Sequence, residues 1–278
     1  MAVITNLPDA ISSMVNDGDT VALEGFTHLI PFTAGHEIIR QQKKNLTLIR
    51  MTPDIIYDQM IGMGCAEKII FSWAGNPGVG SLHRLRDAIE NGWPNTLQIE
   101  EHSHAAMANA YDAGAAGLPM AVFRGYEGVD LEKYTTTIKR IECPFSGDKL
   151  AAIPALQPDV SIVHAQKSDR KGNVLIEGIA GVQKEAVLSA KRSIITVEEI
   201  VDELKTDANA IIIPGWAINL VAEVPLGAYP SYALGYYSRD NHFYTAWDKI
   251  SRDRSQFISW MEKNILESSS DTSMEALV

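Results

Sequence analysis

Six aliphatic, β-branched runs alternate with segments of helical periodicity, and this alternation constrains the fold of the 278-residue chain more than any other feature. The runs are TVALEG (20–25), LTLIRM (46–51), KIIFSW (68–73), LQIEE (97–101), VSIVHA (160–165) and SIITVEE (193–199). Near-continuous apolar runs mark strands covered on both faces. Between them, residues 34–41, 53–61, 81–91, 103–113 and 182–190 carry apolar side chains three and four apart, the spacing of a helix with one buried face. Strand–helix–strand units close in one hand and leave their strands parallel. The predicted fold class is therefore α/β, an open, mostly parallel sheet with helices on both faces. Ligands of such sheets bind outside the carboxyl ends of the strands, so the loops after Leu23, Ser72 and Glu101 are the places to search.

The rest of the chain adds bounds. Residues 240–265 read as one or two amphipathic helices whose aromatics, Phe243, Trp247, Phe257 and Trp260, suit a core or a subunit contact better than a cofactor site. Residues 125–139 are polar and turn-rich and read as an excursion within a domain. The tail ESSSDTSMEALV has the low complexity of a disordered segment, which leaves 1–266 as a single domain and 267–278 as the tail. No repeat at solenoid spacing is found. The first residues lack a basic stretch followed by a long apolar run, so no signal peptide is expected, and no apolar stretch reaches the ~20 residues of a membrane span. Cys65 and Cys143 match no metal or redox spacing and read as small core residues in a reducing cytoplasm. A net charge of -11 argues against nucleic acid or an anionic membrane as partner, yet leaves a local site free to take an anionic substrate.

Three loops carry chemistry. In EGFTHLIP (24–31), Gly25 lets backbone approach a ligand and the following helix start offers free N–H groups to an anion; a plain strand-to-helix turn is the competing reading. SWAGNPGVGS (72–81) is glycine-rich, but Gly75, Gly78 and Gly80 fit neither a dinucleotide fingerprint nor a P-loop. In IEEHSHAAM (99–107), Glu100 and Glu101 must face opposite ways while the strand lasts, and Ser103 suits a helix N-cap. His102 and His104 lack the further ligands of a metal site, so no metal is expected. Glu101, beside the helix start, is the carboxylate best placed for chemistry, with a surface glutamate as the alternative.

DGDTVALEGFTHLIP (17–31) resembles the signature of the alpha subunit of family I coenzyme A transferases, in which Asp-Gly and a strand lead to Gly-Gly-Phe and a short loop ending in proline. Asp17, Gly18, Val21 to Leu23, Gly25 and Phe26 match; Glu24 stands where the first glycine of the pair would be, and Pro31 comes early. MTPDIIYDQMIGMGCAEKIIFSWAGNPGVGSLHRLRDAIENGWP, EEHSHAAMANAYDAGAAGLPMAVFRGY, HAQKSDRKGNVLIEGI, AKRSIITVEEIVDEL and VPLGAYPSYALGYYSRD extend the resemblance to about Lys263. Together they are similar to the glutaconate coenzyme A-transferase-like branch, and within it to the 3-oxoadipate type.

The resemblance implies an enzyme active only with a beta subunit, in an α2β2 hetero-oligomer. The beta-chain glutamate would carry coenzyme A as a thioester between succinyl-coenzyme A and a dicarboxylic 3-oxo acid such as 3-oxoadipate. Coenzyme A thioester is then a substrate, and no permanently bound cofactor is implied. Gly25, Phe26, Thr27, His28, Ser72 and Asn76 would line the substrate and coenzyme A site, with backbone N–H groups near Gly25 to Thr27 stabilising the oxyanion and Glu101 in a supporting catalytic role. His28 would reach the distal carboxylate of the acid, or else cap the turn. A carboxylate at Glu24 would repel an anion unless it turns away or pairs with a cation, for which Arg50 on the next strand is a candidate. Two other readings stay open: the alpha subunit of a hydrolase that opens cyclic ketone thioesters with Glu101 as base, and a non-catalytic effector-sensing module.

Overall fold

Alternate side chains of the strand Thr20–Glu24 enter different cores, as the two-residue period of a covered strand requires. Val21 and Leu23 join a large cluster with the helices on one face, while Ala22 packs with Met107, Tyr111 and Ala186 on the other. The computed structural model describes residues 2–206 and 208–267, so the tail expected to be disordered lies, apart from Glu267, outside the described residues.

In chain order the strands are β1 (Val3–Thr5), β2 (Thr20–Glu24), β3 (Leu46–Ile49), β4 (Ala66–Phe71), β5 (Gln98–Glu101), β6 (Met120–Phe123), β7 (Lys139–Glu142), β8 (Lys149–Pro154), β9 (Val160–Asp169), β10 (Val174–Ile176), β11 (Arg192–Val201), β12 (Ile211–Ile213) and β13 (Leu220–Glu223). The helices are α1 (Leu7–Met14), α2 (Phe32–Arg40), α3 (Ile55–Gly62), α4 (His83–Asn91), α5 (His104–Ala115), α6 (Leu131–Tyr134), α7 (Gln183–Ser189), α8 (Asn241–Ile250) and α9 (Arg254–Met261). The main sheet runs β1-β13-β11-β9-β2-β3-β4-β5 with every neighbour parallel, and β10 and β12 add an antiparallel flap beside β9. Residues of α1 to α4 fill one face, and α5 and α7 cover the other. All six strands read from the sequence are present, and the sheet is the open, mostly parallel one expected.

Two parts differ from the sequence reading. Residues 120–154 build a second, antiparallel sheet in the order β6-β8-β7, packed on α5 through a cluster of Ala106, Ala110, Ala121, Ala151 and Ile153. The turn-rich excursion at 125–139 is the link between two of its strands. Cys143 sits half-exposed on the turn between β7 and β8 rather than in a core; Cys65 is buried, and burial pushes its thiol up to about 12.

The C-terminal helices close the large core. Asp240 and Asp253 accept N–H groups at the starts of α8 and α9, the ordinary way to satisfy a first turn. Trp247 and Phe257 are fully buried, edge to face at 5.9 Å, and the Trp247 indole N–H donates to Asp58 at 3.0 Å. These aromatics are core, as their spacing suggested. A short π turn, Glu262–Leu266, follows, and Arg40 at the end of α2 donates to the Ile265 carbonyl at 2.8 Å.

Candidate functional site

The parallel strands β2, β3, β4 and β5 end along one rim, and the three loops singled out in the sequence all lie on it. The first turns back sharply after Glu24. A Cβ on Gly25 would stand 2.6 Å from the Leu29 carbonyl oxygen and 2.9 Å from the Ile30 Cα, both backbone, so only glycine fits. Thr27 and Leu29 hold φ of 61° and 52°, a region that costs side-chain-bearing residues energy and is retained at sites that need a particular backbone shape.

Those dihedrals decide which side chains face out. Phe26 is half-buried and Thr27 exposed, with the Thr27 hydroxyl 3.4 Å from that of Tyr232. His28 is turned inward and fully buried, against the expectation that it faces the crevice. Its ring stacks on Tyr232 at 5.0 Å and its Nε2 lies 2.8 Å from the Ile179 carbonyl. A carbonyl only accepts, so Nε2 carries the proton and Nδ1 is left as a buried acceptor without a partner. Burial lowers the His28 pKa, and the ring therefore offers a carboxylate no donor.

Glu24 also turns away from the rim. One carboxyl oxygen accepts from the Met51 N–H at 3.1 Å and from the Tyr111 hydroxyl at 2.8 Å. Burial pushes the carboxyl up to about 7, against the Arg50 charge and the hydrogen bonds of Tyr111, Met51 and Gly25. Arg50 is not its hydrogen-bonded partner. The guanidinium donates to Asp54 at 2.9 Å and to the Gly25 carbonyl at 3.0 Å. With that carbonyl tied inward, a planar trans peptide aims the Phe26 N–H the other way, toward the rim. Among the described residues no hydrogen bond engages the N–H of Phe26 or Thr27.

In the second loop, Ser72 donates to the Met51 carbonyl at 2.6 Å. Asn76 is buried, with its amide donating to the Tyr244 carbonyl at 2.7 Å and its backbone bridged to Gly80. These two side chains brace the loop instead of lining a crevice. In the third, Ser103 caps α5 as expected, its hydroxyl accepting from the Ala106 N–H at 3.1 Å. Glu100 and Glu101 part company. Glu100 accepts from Lys68, His102 and Thr137 at 2.6, 2.9 and 2.8 Å, and these donors overcome burial to hold it at about 2. Glu101 is exposed at the end of the edge strand. The two histidines also separate, for His102 is buried against Glu100 and Tyr126 while His104 is exposed.

The sequence reading missed a fourth wall. Residues 232 and 234–239 line an open pocket of about 390 Å³. Tyr232 joins it to Thr27, and Arg239 joins it to the second loop through the Pro77 carbonyl at 2.8 Å. Behind it, His164 is buried between Thr196 at 2.8 Å and Glu198 at 2.7 Å, and Tyr237 donates to the same Glu198 oxygen. No spacing in the sequence links residue 27 to residue 232; only the fold brings them together. A second cavity, about 230 Å³ and mostly apolar, lies beneath α5, but its carboxylate, Glu100, is already fully bonded.

The rim thus offers, among the described residues, the unengaged backbone N–H groups of Phe26 and Thr27 to a developing negative charge. Among the described residues no group of three metal-ligating side chains is found, and no helix is long and apolar enough to cross a membrane. Residues 4–223 match the family described as Coenzyme A transferase. The chain is 63% identical over 265 residues to a 3-oxoadipate CoA-transferase subunit of Pseudomonas knackmussii, a match that covers 95% of this chain and 94% of that one. It is 31% identical to a glutaconate CoA-transferase subunit of Acidaminococcus fermentans, over 96% of this chain and 89% of that one. The crystal structure of glutaconate coenzyme A-transferase from that organism superposes with a TM-score of 0.90 over the same shares of the two chains. A more distant relative, the cholesterol ring-cleaving hydrolase IpdA subunit of Rhodococcus jostii, is 25% identical over 86% of this chain and 83% of that one.

Proposed function

This chain belongs to the coenzyme A transferase family, and from that premise we propose that it is the alpha subunit of an enzyme that moves coenzyme A from succinyl-coenzyme A to a 3-oxo dicarboxylic acid, 3-oxoadipate. One observation carries the reading, the 63% identity to a 3-oxoadipate CoA-transferase subunit along nearly the whole of both chains. Coenzyme A thioester is the substrate, no permanent cofactor takes part, and the partner is a beta subunit in an α2β2 assembly in the cytoplasm.

In this reading a glutamate of the beta chain attacks the carbonyl carbon of succinyl-coenzyme A. The thiolate leaves and an acyl-glutamyl anhydride forms. The thiolate then attacks the glutamyl carbonyl, which expels succinate and leaves a glutamyl thioester. The acceptor carboxylate displaces the thiolate to form a second anhydride, and thiolate attack on its acyl carbon releases the new thioester and restores the glutamate. Each addition puts negative charge on one carbonyl oxygen. The Phe26 N–H, aimed outward by the grip of Arg50 on the Gly25 carbonyl, and the Thr27 N–H beside it suit that oxygen. The pre-set backbone contributes because it needs no rearrangement when the charge appears. Gly25, Phe26 and Thr27 thus act on the substrate, while His28, Ser72 and Asn76 hold the loops that present them. Glu101 supports orientation from the edge.

The hydrolase reading, with Glu101 as base, rests on the relative at 25% identity and is the weaker one. The effector-sensing module is set aside because the family is one of transferases.

The test is reconstitution. The isolated chain should transfer no coenzyme A, and activity should appear on adding its beta subunit, with 3-oxoadipate far ahead of acetate or butyrate as acceptor. Robust turnover by the pure chain, or equal rates on all three acids, overturns the reading.

A further inference from the structure

In a chain of net charge -11, carboxylates are plentiful, and every arginine but one has found one. Arg40, Arg50, Arg84, Arg86, Arg124, Arg140, Arg170, Arg192, Arg252 and Arg254 are all ion-paired. Arg239 has no carboxylate partner among the described residues. It is nevertheless held in place. Nη2 donates to the Pro77 carbonyl at 2.8 Å, the guanidinium lies 3.8 Å from the centre of the Tyr244 ring, and Nε is buried without a partner. The buried Asp54 carboxylate behind it is hydrogen-bonded to Arg50 through Oδ1 and feels the Arg239 charge only at longer range, so two guanidinium groups share it.

A partly buried cation with no hydrogen-bonded carboxylate of its own is costly unless something supplies one. Arg239 lines the open pocket of about 390 Å³ on the rim, with the hydroxyls of Tyr232 and Ser238 on the same wall. Tyr232 in turn meets Thr27, whose N–H no hydrogen bond engages among the described residues. One rim therefore presents backbone donors at one point and a pre-placed guanidinium at another. A guanidinium fixed in one orientation matches the planar, two-oxygen geometry of a carboxylate.

We propose that Arg239 binds the carboxylate of the acceptor acid that does not react, and so selects dicarboxylic over monocarboxylic 3-oxo acids. The assignment rests on the transferase reading above and adds to it the site that sets its substrate class. It also moves distal-carboxylate recognition away from His28, whose ring has no free donor.

The test uses the complex of this chain with its beta subunit. Wild type and Arg239→Gln are assayed with 3-oxoadipate and with a monocarboxylic 3-oxo acid of similar length. Loss of charge-assisted hydrogen bonds should raise KM for the dicarboxylic acid on the order of tenfold to a hundredfold. The kcat for that acid and both constants for the monocarboxylic acid should change little, the pattern of lost uniform binding. Arg239→Lys, which keeps the charge without the fork, should fall between. Equal losses on both acids, or no loss on either, overturn the assignment. Dissociation of the complex by Arg239→Gln would mean that the arginine pairs with the partner subunit, which also overturns it. A measurement on unaltered protein stands beside these: 3-oxoadipate should protect Arg239 from phenylglyoxal modification, mapped by mass spectrometry, and the monocarboxylic acid should not. Equal protection by both, or by neither, refutes the site even where the variant fails to fold. Should the wild-type complex transfer coenzyme A to no dicarboxylic 3-oxo acid, it is the transferase reading that fails, and the assays separate the two failures.

Discussion

Replacing Glu24 with glutamine should make the protein more stable at alkaline pH and change little at acid pH. Glu24 is buried at the end of a central strand, with one oxygen accepting from Met51 and Tyr111. Burial raises its carboxyl from 4.5 to about 7. A folded pKa above the unfolded one means that the folded state holds the proton more tightly. The resulting stability is fully present below the unfolded value and is lost as pH rises through the folded one. Across that window of about 2.5 pH units the loss is roughly 3 kcal/mol, most of it between pH 5 and pH 8. Glutamine keeps an acceptor for both donors and places an uncharged amide where the acid ionises, so Glu24→Gln should escape the loss. For a chain of this size the escape amounts to a melting temperature on the order of 5–10 °C higher than wild type at pH 8. At pH 5 the two should nearly coincide. Melting curves of both proteins at both pH values give the double difference, in which other titrating groups such as Asp58, raised to about 6, cancel. A gap between variant and wild type that is the same at pH 5 and pH 8 would refute the argument, since ionisation of the carboxyl would then carry no burial cost.

Two further outcomes test the rim. Gly25→Ala drives a Cβ to within 2.6 Å of the Leu29 carbonyl and must move the loop, so kcat of the reconstituted complex should fall on the order of a hundredfold, the scale of one lost oxyanion donor, while gel filtration still shows assembly. An unchanged kcat would show that the N–H groups of Phe26 and Thr27 do not serve the reaction. Glu101→Gln should slow transfer by less than tenfold because the side chain is exposed at the sheet edge; a loss of ~10²–10⁴, the range of a general base, would return the hydrolase reading to first place.

The main sheet was legible because its central strands are covered on both faces and so are spelled as unbroken apolar runs. The second sheet was not, because β6 leaves Met120 and Val122 exposed and its strands are short. The edge strand β1 was hidden likewise, with Val3 and Ile4 open to solvent. At the site the need for a glycine was legible but its reason differs, since the Leu29 and Ile30 backbone of the turn itself, rather than a ligand, leaves no room for a side chain. His28 was misplaced because strand alternation was carried into a loop where two residues with positive φ reverse it. The wall from Tyr232 to Arg239 lies some two hundred residues along the chain from the loop it meets, and local pattern carries no information at that distance.

The C-terminal helices closing the large core, and β1 pairing with β13, set the order in which a ribosome can finish this protein. Val3 lies opposite Leu220, and Asp58 receives its indole donor only from Trp247. The first strand and the Asp58 carboxyl therefore wait for these partners until nearly all of the chain has emerged. Native contacts this far apart in sequence close slowly. During synthesis the side of α3 that carries Asp58 and Gly62, which Trp247 and Phe257 later cover, stays open. Losing the last two helices would thus do more than shorten the molecule, for it would leave that transient surface permanent.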